Sequence, residues 1–256
     1  MLNTSARLRG NDVMSAKEEA LKVIESVLKS GRTALVEYEA KQVLKAYSLP
    51  VPNEKLAKTL DEALEYAEEI GYPVAMKLMS PQILHKSDAK VVILNIKSPE
   101  ELKQKWEEIH ENARKYRPDA EILGVLIAPM LRPGREIIIG VTEDPQFGHA
   151  IMFGLGGIFV EVLKDVTFRI IPITEKDARK MIAEIKGYPI LAGARGEEPA
   201  DIDAIVDMLL KVSQLVDELR DYIKEMDLNP VFVYEKGKGA VVVDARIIAK
   251  APEKKE

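Results

Sequence analysis

The most reactive side chains of the chain fall in His85-Lys86-Ser87-Asp88, a polar run after Ser80-Pro81 and between two apolar stretches. An imidazole beside a carboxylate is held in one tautomer and made more nucleophilic, as an acid/base group or a phosphoryl acceptor requires. The same residues also suit a solvated loop. Lys77 lies inside the apolar run Pro73–Met79. Facing inward its ammonium needs an anionic partner; facing outward, as strand alternation equally allows, it needs none. The stretch Phe153–Glu161 carries Gly154, Gly156 and Gly157. Their backbone N–H groups can approach an anion closely, or they can form a plain tight turn. Asp227-Leu228-Asn229-Pro230 and Asp244 bracket a closing hairpin. One or two carboxylates with an amide oxygen, completed by phosphate oxygens, are what a nucleotide-bound Mg²⁺ takes, although an Asn-Pro turn with a surface Asp has the same letters. His110, on a polar helix face, reads as inert, and His149, at a strand entrance, as structural.

Composition removes other chemistries. The 256 residues contain no cysteine, which excludes disulfides, thiolate metal sites, iron–sulfur clusters and Cys nucleophiles together. Lys+Arg total 37 and Asp+Glu 42, interspersed, for a net charge of -5, so the clustered basic surface of a nucleic-acid binder is missing. No apolar run reaches the ~18 residues of a membrane span, and the polar start has no signal-peptide core. A cytoplasmic protein is therefore expected, and the Lys/Glu-rich, Cys-free composition fits a heat-adapted source. Neither a Gly-x-x-x-x-Gly-Lys-Ser/Thr loop nor a Gly-x-Gly-x-x-Gly fingerprint follows a strand, which disfavours P-loop and dinucleotide folds.

The elements that must position these residues follow from capping and periodicity. Residues 1–13 show no periodicity and read as a lead. Ser15 with Glu18, and Thr59 with Glu62, are capping boxes opening helices stopped at Gly31 and Gly71. The first helix presents Leu21, Ile24, Val27 and Leu28 on one face, and a further helix spans Val36–Tyr47. Pro73–Met79 and Val91–Ile96 read as strands, and Ser98-Pro99 starts a helix with Pro at its first position. Apolar runs at 122–128, 136–142 and 150–154, divided by Pro133-Gly134 and Asp144-Pro145, predict three neighbouring strands. A strand over 166–171, a helix from Thr174, a long helix from Pro199 to Tyr222 and a hairpin of 231–235 with 239–244 complete the chain. Irregular alternation with hairpins predicts α+β (α/β) architecture in two lobes, with a hinge near Pro129–Pro133.

In order, Glu37-Tyr38-Glu39-Ala40-Lys41, Gly71–Lys77, Ser80–Asp88, Gly134-Arg135-Glu136, Phe153–Glu161, Leu191–Gly196, Asp227–Pro230 and Val243–Arg246 resemble an ATP-grasp domain. They are most similar to the nucleotide-binding β subunits of archaeal ADP-forming acetyl-CoA (acyl-CoA) synthetases, relatives of succinyl-CoA synthetase. The resemblance implies an ATP-grasp fold with nucleotide in the cleft: an N-terminal extension and helix over 1–30, an N-terminal lobe with a phosphohistidine loop over 31–129, and a C-terminal lobe with the Mg-nucleotide site over 130–250. It implies Lys77 on the ATP phosphates, Glu136 on the ribose or nucleotide, main chain near Ile127–Met130 on adenine, and Gly154, Gly156, Gly157 and Glu161 in the nucleotide loop. Asn229 and Asp244 become Mg²⁺ ligands supported by Asp227. His85 becomes a phosphohistidine, relaying phosphate between a histidine of an α subunit and ADP. The implied ligase reaction is acyl-CoA + ADP + phosphate to carboxylic acid + CoA + ATP. It needs a CoA-binding α partner in an α₂β₂ assembly and a mobile 80–90 segment that is neither helix nor strand. Where many relatives have Gly-Gly after the His-Lys-Ser-Asp cluster, this chain has Ala89-Lys90. Two other functions suit the same fold: a carboxylate ligase making an acyl phosphate directly at the ATP site, and a nucleotide-sensing subunit without turnover.

Overall fold

The computed structural model describes residues 14–83, 85–157 and 164–252. The chain runs α1 (Ala16–Lys29), β1 (Ala34–Leu35), α2 (Glu37–Ala46), β2 (Lys55–Ala57), α3 (Leu60–Ile70), β3 (Val74–Met79), β4 (Val92–Ile96), α4 (Pro99–Tyr116), β5 (Gly124–Pro129), β6 (Arg135–Asp144), β7 (Gly148–Leu155), β8 (Val166–Ile170), α5 (Glu175–Glu184), α6 (Tyr188–Leu191), α7 (Ile202–Glu218), β9 (Ile223–Val233), β10 (Ala240–Val242) and β11 (Ala245–Ala249). The caps read from the sequence are made. Glu18 N–H donates to Ser15 Oγ at 3.3 Å while Ser15 N–H donates back to Glu18. Thr59/Glu62 repeats that reciprocal pair, and Ser98 caps α4 ahead of Pro99.

Two antiparallel sheets carry two cores. The smaller has the order β2-β5-β3-β4 under α3 and α4, and the larger runs β1-β11-β9-β6-β7-β8 with β10 added to β9. Mixed helices and antiparallel sheets make this an α+β architecture. Three expectations change. The runs at 122–128, 136–142 and 150–154 are not three neighbours: β5 sits in the smaller sheet, whereas β6 and β7 pair in the larger one. The chain therefore crosses between sheets at Pro129–Pro133, where the hinge was expected. The larger core also takes in Ala20, Ile24, Val27, Val43 and Leu44 beside Leu209 and Ile247, and β1 pairs with β11, Ala34 opposite Ile248. Residues 31–51 thus belong with the C-terminal lobe, and the smaller lobe comprises 55–129. An amphipathic stripe says that a helix must cover something, not which sheet it covers. Finally, the closing hairpin is a longer structure. Its first strand starts at Ile223, so Asp227 and Asn229 stand inside β9, and a further strand, β11, lies alongside.

The long helix is shorter than the expected 199–222 because Asp201 caps it at Ile202. Its carboxylate accepts from Ala204 N–H at 3.2 Å and from Gly239 N–H at 2.8 Å, tying the helix start to the β9–β10 turn.

Candidate functional site

The floor of the cleft is made by strand alternation. Along β9, Met226 and Leu228 enter the larger core, so Asp227 and Asn229 point to the opposite, exposed face. Asp244 comes beside them because the Asn229 amide donates to the Asp244 carbonyl at 3.2 Å, and Arg246 stands opposite Asp227. Partial desolvation and the neighbouring Asp244 charge hold the Asp227 carboxyl above its usual range, with Arg246 only partly offsetting them. Asp244 is likewise raised, by desolvation and by Glu37, against the pull of Lys86 and Lys77.

Above this floor lies a network of charges that crosses the lobes. All six residues of β3 are buried, which settles the orientation of Lys77: it faces inward, and its partner is Glu37 of α2. Lys77 Nζ donates to Glu37 Oε1 at 2.6 Å and to the Val243 carbonyl at 3.1 Å. Lys41, only 2% exposed, donates to Glu37 Oε1 and Glu54 Oε2, both at 2.9 Å, and to the same Val243 carbonyl at 2.8 Å. Lys86 bonds Glu37 through its other oxygen, and reaches both oxygens of Asp244 at 3.0 and 3.2 Å. Burial alone pushes the Glu37 carboxyl up, but Lys77, Lys41 and Lys86 together outweigh it and hold the group well below the usual carboxylate range. The Lys41 and Lys86 ammoniums are held above their ordinary values by the carboxylates around them, against the effect of burial. Glu54, whose Oε1 is buried with no partner, is pushed up by burial.

Sequence reasoning gave Glu37, Lys41 and Glu54 no place in a site, and named Lys86 only as part of the His85 cluster, without a partner. Glu37 and Lys41 entered only within the stretch Glu37–Lys41 that resembles ATP-grasp domains, with no role attached; the one available signal was that an inward-facing Lys77 needs an anion from elsewhere in the chain.

His85 is exposed, on a turn without helix or strand. That turn is closed by Ala89 N–H to the His85 carbonyl, Lys90 N–H to Ser87 and Val91 N–H to Lys86, at 3.2, 3.1 and 3.0 Å. His85, Lys86, Glu37, Asp227, Asn229 and Asp244 border one cavity of about 240 Å³. The other histidines are occupied as expected: His110 Nδ1 bonds the Trp106 carbonyl at 2.7 Å, and buried His149 bonds the Ile223 carbonyl through Nε2 at 2.7 Å.

The remaining candidates lie away from this cavity. Glu136 is exposed on β6, and its carbonyl accepts from Gly156 N–H at 2.8 Å. Gly157 has φ +60, and a Cβ there would stand 3.4 Å from Glu136 Oε2, so the loop end and this carboxylate adjoin. Gly154 is different. It sits in β7 opposite Val166, where a side chain would meet the Asp165 carbonyl at 2.8 Å; close strand packing requires the glycine. Ile127 is fully buried in the smaller core, its main chain flanked by Lys55 and Met76. The strand edge opposite β3 is uncovered only from Ala128, because β2 pairing stops at Ile127. Half-buried Met130 donates its N–H to the Pro73 carbonyl at 3.3 Å. Glu161 lies outside the described residues.

Among the described residues no three His, Asp or Glu side chains gather as a metal cage. Asp227, Asp244 and Asn229 instead supply two carboxylates and an amide on one cavity. These hard oxygen donors fit a divalent cation whose sphere is completed by a ligand's oxygens.

Two lobes with a charged cleft between them define a nucleotide-grasping architecture, and residues 26–249 match the ATP-grasp domain family, to which this chain belongs. It is 90% identical over 234 residues to the β subunit of acetate–CoA ligase (ADP-forming) II of Pyrococcus furiosus, covering 91% of this chain and 99% of that one. A crystal structure from Pyrococcus horikoshii superposes with a TM-score of 0.90 at 85% identity, over 92% and 99% of the two chains. An acetyl-CoA synthetase of Candidatus Korarchaeum cryptofilum, in complex with coenzyme A and Ca-AMPCP, superposes with a TM-score of 0.86 at 47% identity, over 90% and 100%. The same enzyme with Mg-AMPPCP, its phosphohistidine segment pointing towards the nucleotide site, gives a TM-score of 0.78 at 44% identity, over 92% and 100%.

Among the described residues no helix is long and apolar enough to cross a membrane.

Proposed function

We infer that this chain is the nucleotide-binding β subunit of a cytoplasmic ADP-forming acetate–CoA ligase, working with a CoA-binding α subunit in an α₂β₂ assembly. The observation that carries this reading is one cavity bordered both by the exposed imidazole of His85 and by Asp227, Asn229 and Asp244. A phosphoryl carrier and a cation-binding oxygen set facing one space are what transfer from phosphohistidine to ADP requires. The high identity to a named β subunit supports the same assignment.

In this reading Asp244 and Asn229 hold Mg²⁺ with Asp227 beside them; the cation would supply charge neutralisation for the nucleotide phosphates. His85 accepts a phosphoryl group from the partner through an imidazole nitrogen. The terminal oxygen of ADP then attacks phosphorus, the P–N bond breaks, and the electron pair returns to the ring. Lys77 and Lys86 provide positive charge where phosphate oxygens gather, and Glu37 holds the Lys77 ammonium in place. Gly156, Gly157 and Glu136 line the nucleotide's other side, with adenine against the main chain from Ala128 to Met130. Gly154 and Ile127 serve the sheets that present them.

Co-purification with the partner, followed by an acetyl-CoA-dependent ATP-formation assay, tests the assignment. ATP formation by the complex but not by this chain alone is expected. Synthesis by the isolated chain would overturn it. Label from [γ-³²P]ATP that is lost in acid and absent from His85→Ala would distinguish the relay from direct acyl-phosphate chemistry.

A further inference from the structure

The proposed function gives Lys86 no role beyond a positive charge, yet its position is unusual. It adjoins His85, and its ammonium is the only one among the described residues that bonds the Asp244 carboxylate, through both oxygens at 3.0 and 3.2 Å. The backbone of Lys86 belongs to the turn of the smaller lobe; Asp244 and Glu37 belong to the larger. The contact therefore ties the histidine-bearing segment across the cleft to a carboxylate assigned above to a cation. An ammonium and a divalent cation compete for the same oxygens: each neutralises the carboxylate, and they repel one another.

The charge balance points the same way. Glu37, Glu54 and Asp244 face Lys41, Lys77 and Lys86, three carboxylates against three ammoniums, so this bonded cluster is balanced, with Asp227 and Arg246 standing opposite each other beside it. A divalent cation added at Asp244 overfills it. Of the three lysines, Lys86 is the one able to leave: its side chain is 19% exposed and it stands on a turn, whereas Lys41 and Lys77 are 2% and 11% exposed and fixed to α2 and β3. Glu37 keeps Lys41 and Lys77 when Lys86 departs, so no carboxylate is stranded.

We propose that Lys86 is an electrostatic latch: it occupies Asp244 in the ligand-free protein, and a divalent cation at Asp244 displaces it and frees the His85 segment to move. Lys86 is thus a positioning residue for His85. The inference rests on the assignment of Asp244 as a cation ligand in the proposed function. It couples arrival of the metal-bound nucleotide to mobility of the phosphoryl carrier, so that the segment stays docked while the nucleotide site is empty.

The test uses the full chain and two readouts other than turnover. The first is Mn²⁺ binding without nucleotide, followed by loss of the free-ion paramagnetic resonance signal. Lys86→Met should tighten it by about tenfold, because one competing positive charge is removed, Lys86→Arg should leave it near wild type, and Asp244→Asn should weaken it severely. The second is hydrogen exchange at the amides of Ala89, Lys90 and Val91, which close the turn. In wild type and Lys86→Arg, Mg²⁺ with a non-hydrolysable ATP analogue should speed exchange there several-fold; in Lys86→Met exchange should already be fast and should not respond. Weakened Mn²⁺ binding in Asp244→Asn, with wild-type binding and exchange in Lys86→Met, would overturn the latch and leave the proposed function standing. Unchanged Mn²⁺ binding in Asp244→Asn would overturn the cation assignment and the latch together.

Discussion

Two histidine-bearing regions show how surroundings divide chemically identical side chains. His149 stands on β7 in the body of the larger sheet, buried, with Nε2 committed to the Ile223 carbonyl. His85 stands on a turn of the smaller lobe, exposed, beside a cavity rimmed by carboxylates. A ring held by a backbone bond inside a sheet is part of the seam between strands; an exposed ring on a segment with three turn hydrogen bonds can approach a phosphorus atom. The contrast teaches that the phosphoryl-carrier role proposed for His85 depends on an exposed ring on a short turn rather than on a strand inside a sheet.

That contrast can be broken at either end. The largest effect is expected for His85→Ala. Turnover of the reconstituted complex should fall by about three orders of magnitude or more, since the phosphoryl-accepting atom proposed above is removed, while ADP affinity by calorimetry and the melting temperature stay near wild type. Turnover within a few-fold of wild type would make the two histidines alike after all.

Glu37→Gln probes the docking of the His85 region. Removing the common partner of Lys41, Lys77 and Lys86 leaves buried ammoniums under-compensated and should cost about 3 kcal/mol of unfolding free energy in a denaturant titration. The pH dependence has a definite sign. The Glu37 carboxyl is lowered in the folded chain, so its contribution is fully present above its ordinary value of 4.5 and is lost as pH falls toward the folded value. The stability gap between wild type and Glu37→Gln should therefore be constant near neutrality and shrink on acidification below that point. A gap that widens in acid would mean that Glu37 is not the anion holding this cluster.

The smallest effect is expected for His149→Ala. Leaving the Ile223 carbonyl unpaired should lower stability by about 2 kcal/mol, with turnover per folded molecule unchanged. Loss of turnover without loss of stability would give His149 a part in the chemistry and erase the distinction.

The sequence made the local pieces legible. Ser15/Glu18, Thr59/Glu62 and Ser98-Pro99 marked helix starts because a cap is a contact between residues three apart. The turn around His85 was legible as a segment without helix or strand, between two β-rich runs. Asp227, Asn229 and Asp244 were legible as a set but misplaced: they read as flanking a hairpin, whereas Asp227 and Asn229 face the cleft from inside β9, whose beginning at Ile223 is masked by the end of the preceding helix pattern. Gly154 and Gly156 looked alike, yet one answers to the neighbouring strand and the other to Glu136.

By itself the sequence determined the residue types that can do chemistry and the elements carrying them, because capping, periodicity and turn preference act between near neighbours. Only the tertiary structure decided what those residues face. Lys77 looked equally fit for solvent or interior until β3 was buried between β5 and β4 and Glu37, forty positions away, came within 2.6 Å. Lys86 meets Asp244 across 158 positions of chain, and α1 and α2 join the C-terminal core rather than the lobe that follows them. Partners so distant are chosen by which apolar faces find each other and by the rule that a buried charge must be answered by another. Both are decided only when the whole chain is folded.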